Sequence, residues 1–221
     1  VELLAQNDLK ASHLFWAGGF TGNEGRSYRE SIDDAAEALH ATSTLGAGCL
    51  VVYTGTRAGH TFNHARRLVQ GAILELADLA EQLGVVLALE PMHPGCAAEW
   101  TFLTSLDETL AMLRAVDRPQ VKMVLDIYHF GHDSAWLDRI PELAPHVALV
   151  QLGDAKRPPQ GEQNRCRLGE GVMPLRQIVQ KLRTAGYDGY FDVELLGEDL
   201  EPVDYQGLLE HAKQAFAELM Q

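Results

Sequence analysis

The chain has 221 residues, 46% hydrophobic and 22% charged, which is length and apolar content enough for one sizeable core. Its 31 acidic and 18 basic side chains leave a formal charge of −13, which argues against a nucleic-acid partner, because such binders draw affinity from clustered Lys and Arg. Three scattered cysteines, Cys49, Cys96 and Cys166, form no CxxC pair, so neither a zinc knuckle nor a disulfide framework is expected and a reducing cytoplasm fits. No apolar run is long enough to span a membrane, so no membrane partner is expected either.

Residues 1–9 read as the end of an amphipathic helix with Val1, Leu4 and Leu9 turned inward. Lys10–Trp16 is a short strand candidate, followed by a loop carrying Gly18, Gly19 and Gly22. That GGxxG is not a dinucleotide fingerprint, since no helix opens directly on it. Phe15, Trp16 and Phe20 are candidate pocket residues there. Ser27–Leu45 has helical spacing, with Ile32, Ala35, Ala36 and Leu39 on one face and Gly46 closing it. Cys49–Tyr53 is the next strand, and the polar loop after it holds Arg57 and His60. Ala65–Leu83 is a long helix ended by Gly84.

Val85–Leu89 is a strand apolar enough to be buried on both faces, finished by Glu90 and followed by Pro91, Met92, His93 and Pro94. Ser105 and Glu108 have capping-box spacing and open a helix through Ala115. Val121–Leu125 is another buried strand, ending in Asp126 with His129 three residues on. A buried carboxylate needs a partner. Asp126 is therefore read as capping the next helix, pairing with a distant arginine or binding metal. Trp136–Leu143 is a short helix and Val147–Leu152 a strand carrying Gln151, with Asp154 just beyond. Ala155–Val172 is a long loop rich in Arg, Pro and Gly, and loops of that length are commonly functional. A helix from Pro174 to Ala185, the strand Tyr190–Val193 ending at Glu194, and a helix over Asp204–Met220 complete the chain.

This strand–helix alternation without linkers predicts an α/β fold of one domain over residues 1–221. A closed TIM (β/α)8 barrel normally takes about 250 residues. With six strands in view, the expectation is such a barrel with one or two N-terminal βα units missing before Val1. An open doubly wound sheet is the other architecture the alternation allows.

Glu90, Asp126, Gln151 and Glu194 each fall at the C-terminal end of a different strand. In a βα barrel those ends share the active-site rim. Three carboxylates gathered there repel one another without a cation. The pattern therefore predicts one divalent ion, and oxygen donors favour Mn or Mg, with Zn or Co as alternatives.

The segments Leu87–Pro94 (LALEPMHP), Val124–His129 (VLDIYH), Val150–Asp154 (VQLGD), Leu168–Gly171 (LGEG) and Tyr187–Leu195 (YDGYFDVEL), in this order, resemble the xylose-isomerase-like TIM-barrel superfamily of sugar isomerases, epimerases and related dehydratases. The resemblance implies a divalent metal on Glu90, Asp126, Gln151 and Glu194. It also implies substrate contacts from His129 and from a loop arginine, for which Arg157 is the best match. Ketose 3-epimerases of the tagatose and psicose type usually place His where this chain has Gln151, which weakens that assignment. Hydroxypyruvate isomerases and some dehydroshikimate dehydratases use Gln there.

The activity implied is isomerisation or epimerisation of a small polyhydroxy ketone or aldehyde through a metal-stabilised enediolate, with Glu90 and Glu194 moving the proton. Loss of a β-hydroxyl from the same intermediate makes a dehydratase the alternative, and a non-catalytic sugar-binding barrel is a further one. Trp16, His60 and His93 join His129 and Arg157 as candidate substrate contacts. Arg157, Arg165 and Arg167 are candidates for an acidic group on the substrate, although loop arginines are commonly solvated. The expected partner is a small sugar or keto-polyol, and a homo-oligomer is compatible with all of this.

Overall fold

The computed structural model describes residues 1–22 and 25–221. They form two compact units, Val1–Val124 and Leu125–Gln221.

In the first unit, α1 (Glu2–Gln6) precedes β1 (His13–Gly18), α2 (Tyr28–Leu45), β2 (Cys49–Tyr53), α3 (Phe62–Leu83), β3 (Val86–Leu89), α4 (Leu106–Val116) and the start of β4 (Val121–Asp126). Neighbouring strands are parallel and follow sequence order: Cys49 pairs with Val86, and Leu87 with Val121. Every residue of β2 is buried, as its unbroken apolar run requires. Helices α2 and α3 bury one stripe each, Ile32, Ala35 and Leu39 on α2 and Val69, Ala72, Ile73 and Leu76 on α3. Left-handed Gly46 and Gly84 stop them.

Two expectations for this unit change. Helix α1 buries none of its residues, and Val1 and Leu9 are exposed rather than inward. A five-residue helix this short carries too little apolar surface to anchor itself. Strand β1 starts later and runs further than Lys10–Trp16, because Gly18 pairs with Tyr53 at the end of β2. Only a residue without Cβ fits there: φ is +152°, and an added Cβ would stand 2.0 Å from the Tyr53 carbonyl oxygen.

The second unit holds the end of β4, α5 (Ile127–Phe130), α6 (Ile140–Leu143), β5 (Val147–Leu152), α7 (Leu175–Thr184), β6 (Tyr190–Val193) and α8 (Tyr205–Leu219). Strands β5 and β6 are parallel, with Gln151 opposite Asp192. Leu149, Val150 and Leu152 of β5 and Ile178, Val179 and Leu182 of α7 are fully or nearly buried. The helix expected over Trp136–Leu143 is instead a 3₁₀ stretch, Ser134–Arg139, followed by the single turn α6. Pro141 lies in the first turn of α6, where its missing N–H costs nothing but where it prevents one continuous helix through Arg139.

Candidate active site

In the first unit the residue of interest is Glu90, one position past β3. Its backbone N–H donates to the Val52 carbonyl at 3.0 Å, which fixes the residue at the strand end, and its side chain is buried. The Trp16 indole N–H donates to Glu90 Oε2 at 3.2 Å. The Trp16 ring lies 4.5 Å from Trp100 and 5.8 Å from Tyr53, centroid to centroid. Three aromatic rings thus stand together beside one carboxylate, and Trp16 is still 39% exposed, so the indole is available to a ligand. Phe20, by contrast, is wholly buried. His93 turns back on its own turn, its Nδ1 accepting from Gly95 N–H at 3.0 Å. His60 bonds the Thr21 carbonyl at 3.2 Å and stacks on His64.

In the second unit Asp126 is fully buried. Its Oδ1 accepts from Tyr128 N–H at 2.8 Å and caps α5. Its Oδ2 accepts from Arg165 Nη2 at 2.6 Å. Both of the ordinary roles read from the sequence, helix cap and arginine partner, are therefore filled by this one side chain. The same Nη2 donates to Glu194 Oε2 at 2.9 Å, so one guanidinium nitrogen bridges two carboxylates from two strand ends. The Arg165 guanidinium also lies 4.4 Å from the Tyr128 ring centroid, and the side chain is 1% exposed. His129, on the same short helix as Tyr128, places Nε2 3.5 Å from Asp126 Oδ2.

Burial pushes the Glu194 carboxyl up to about 7; Arg165 opposes that shift, and Asp126 and Asp192 add to it. Gln151 is buried at the end of β5, and among the described residues its carbonyl oxygen has no hydrogen-bond partner. A buried acceptor left unmet costs about 1–3 kcal/mol, so this oxygen marks a position where a cation or a ligand donor fits.

Asp154 is also buried, but with a different role. Its Oδ2 accepts from Gly169 and Gly171 N–H at 2.8 and 3.0 Å, and its Oδ1 from Ala155 and Met173 N–H at 2.9 and 3.2 Å. The carboxylate folds the long loop onto β5. Any Cβ at Gly171 would lie 2.0 Å from Asp154 Oδ1, which explains the second glycine of the LGEG segment.

Arg157 is exposed and lines a cavity of about 390 Å³ together with Tyr128 and Arg165. Arg165 is the residue whose place the sequence does not reveal. A loop arginine reads as solvated, and only the need of Asp126 for a cation pointed toward one, without separating Arg165 from Arg157 or Arg167.

Parallel strands in sequence order, joined by helices and ending in polar side chains, define an α/β protein of the βα-barrel kind. The chain matches the model of the xylose isomerase-like TIM barrel family over residues 1–219 and belongs to that family. It is 23% identical over 201 residues to an inosose isomerase of Bacillus velezensis, covering 88% of this chain and 70% of that protein. It is 27% identical over 177 residues to a fructoselysine 3-epimerase of Escherichia coli O157:H7, covering 76% of this chain and 60% of that one. Its fold superimposes on the IolI protein, solved with a zinc atom bound, at a TM-score of 0.83 and 19% identity, covering 99% and 80% of the two chains. Among the described residues no helix is long and apolar enough to cross a membrane.

Proposed function

We propose that this chain is a divalent-metal-dependent isomerase or epimerase that moves a proton at the carbon beside a carbonyl in a small polyhydroxy ketone or aldehyde. The observation that carries the reading is the buried, unmet carbonyl oxygen of Gln151 in the same unit as the paired carboxylates Asp126 and Glu194. The names of the relatives, an inosose isomerase and a fructoselysine 3-epimerase, support the reaction class.

The ligands we assign are Glu90, Asp126, Gln151 and Glu194, with Mn or Mg favoured by their oxygen donors and Zn or Co as alternatives. When bound, the ion supplies Lewis-acid polarisation of the substrate carbonyl. The rest belongs to the chain. Glu90 is held in place by the Trp16 indole N–H, which keeps one carboxylate oxygen turned toward the aromatic wall. Glu194 is held in place by Arg165. Each is assigned one proton transfer: one carboxylate removes the α-proton and the other returns it. Return to the same carbon on the opposite face is epimerisation, and return to the neighbouring carbon is isomerisation. His129, Arg157 and Trp16 contact the substrate in this reading. His93 and His60 join them through the other ring nitrogen, since His93 Nδ1 is held by Gly95 and His60 Nε2 by Thr21.

The test is a substrate screen with added Mn in deuterated water. Glu90→Gln and Glu194→Gln keep a carbonyl oxygen for the ion but lose the base. Each should retain metal and lose turnover by a factor of about 10²–10⁴, the scale of general acid–base catalysis. The variant lacking the abstracting base should also stop exchanging the α-proton. Near-normal rates in both variants would reduce these glutamates to ligands, and an unsaturated product would make the enzyme a dehydratase.

A further inference from the structure

Arg165 lies in a slot that the second unit makes for it. Its backbone N–H donates to the Leu196 carbonyl at 2.8 Å, which ties the long loop to the chain just past Glu194. The side chain then crosses Gly153, where an added Cβ would stand 2.8 Å from Arg165 Nε and 2.9 Å from Tyr128 Cβ, so a larger residue there closes the slot. The guanidinium ends 4.4 Å from the Tyr128 ring centroid, and its Nη1 donates to the Gln163 side-chain carbonyl. The Tyr128 hydroxyl in turn accepts from the N–H of Asn164, the neighbour of Arg165, at 3.1 Å. From this seat Nη2 reaches both Asp126 Oδ2 and Glu194 Oε2, at 2.6 and 2.9 Å. The guanidinium is therefore a fixed, buried charge, and an arginine does not lose its proton in a protein.

The proposed function makes the same two carboxylates metal ligands, and that sets cation against cation. One oxygen of Asp126 already accepts from Tyr128 N–H and the other from Arg165, so an ion must share that second oxygen with the guanidinium or take it over. Like charges repel strongly where little water screens them. We infer that Arg165 is a built-in rival of the metal: it neutralises Asp126 and Glu194 in the stripped protein, keeps that protein folded, and lowers the affinity with which a divalent ion binds. The inference rests on the proposed function for the identity of the ligands. Its consequence is an exchangeable metal. A buried carboxylate pair that loses its only cation is left uncompensated, which is strongly destabilising. Here one cation stays between the two carboxylates when the ion leaves, and reloading requires no refolding.

The experiment compares melting temperatures of EDTA-stripped protein with and without one fixed concentration of Mn, together with Mn affinity by calorimetry. Stripped wild type should be folded. In Arg165→Met a flexible side chain fills the slot without the charge. Stripped, this variant should melt at least about 6 °C below stripped wild type, because one partner of a buried pair is gone. Mn should recover most of that loss, so the Mn-induced shift exceeds that of wild type, and Mn should bind at least about tenfold more tightly. Arg165→Lys keeps the charge and should lie nearer wild type. Gly153→Ala presses on Nε and should move toward Arg165→Met. A Mn-induced shift in Arg165→Met no larger than in wild type overturns the inference, makes the arginine a scaffold residue only, and leaves the proposed function standing. Wild type that unfolds when stripped also overturns it. If Arg165→Met fails to fold with and without Mn, the same comparison on Gly153→Ala decides. If Mn neither binds nor shifts wild type or any variant, the metal of the proposed function is lost, and this inference with it.

Discussion

The two units fix their strand ends in different ways. In Val1–Val124 the work is done by apolar stripes: α2 and α3 run 18 and 22 residues, and β2 is buried at every position. In Leu125–Gln221 two of the helices, α5 and α6, are four residues each, and the long loop after β5 is held by one carboxylate, Asp154, through four backbone N–H groups. Glu90, in the first unit, has an indole for a neighbour, whereas Asp126 and Glu194, in the second, have a guanidinium. A framework made by apolar periodicity tolerates polar change and suffers from lost volume. One made by convergent polar bonds fails when a single acceptor goes.

That contrast can be broken most directly by pairing Leu50→Ala with Asp154→Ala. Leu50 is wholly buried in β2, and its truncation should cost about 2–5 kcal/mol, with amide exchange accelerated throughout the first unit. Removing the Asp154 carboxylate leaves the N–H groups of Ala155, Gly169, Gly171 and Met173 without their acceptor, and each buried one costs about 1–3 kcal/mol unless water reaches it. Its signature should be local: exchange rises across residues 155–173 while the amides of β2 stay protected. Gly171→Ala should mimic it, because its methyl group meets Asp154 Oδ1. Uniform exchange in Asp154→Ala would mean the loop is held by something other than this carboxylate.

The same contrast explains what could be read from residues alone. Strand β2 and the body of α3 follow from runs and spacings, which are local and additive, and Ser27, Gly46 and Gly84 mark helix ends because capping is short-range chemistry. The strand-end positions of Glu90, Asp126, Gln151 and Glu194 were legible for the same reason, since Glu90 and Asp126 close apolar runs and Gln151 and Glu194 lie at the ends of short β-rich segments. Arg165 was not. Its burial depends on Asp126, 39 residues earlier, and on Glu194, 29 later, and no periodicity encodes such a meeting. Asp154 lay in view as the end of VQLGD, but its role depends on Gly169 and Gly171 folding back to it. The extension of β1 to Gly18 was hidden because a glycine at φ +152° reads as a loop until its neighbour Tyr53 is seen.

A second measurement sharpens the comparison through pH. Burial lifts Glu194 to about 7, so the folded state holds this proton more tightly than the unfolded chain does. Its contribution to stability is therefore complete below the ordinary value near 4.5 and is lost as pH rises through about 7. Metal-stripped wild type should lose on the order of a few kcal/mol across that window in denaturant titrations. Glu194→Gln, which has no proton to lose there, should be flatter. Equal slopes would mean that Arg165 compensates the buried charge fully.

The smallest effect belongs to the first unit and has the opposite sign. Helix α2 opens with a reciprocal cap: Glu30 N–H donates to Ser27 Oγ at 3.2 Å, and Ser27 N–H donates to Glu30 Oε2 at 2.8 Å. Ser27→Ala should cost about 1 kcal/mol, the usual penalty for losing such a side chain, at any pH where the fold persists. The bonds from the Ser27 backbone and side chain hold the Glu30 carboxyl below its ordinary value. A carboxyl depressed in this way contributes stability above its unfolded pKa and loses it as pH falls through its lower folded value. Glu30→Gln should therefore trail wild type at neutral pH and converge with it in acid, while Glu194→Gln diverges from wild type in the other direction. If the Glu30→Gln deficit persists undiminished at low pH, the charged half of the cap contributes nothing, and α2 is started by its apolar stripe and Ser27 alone.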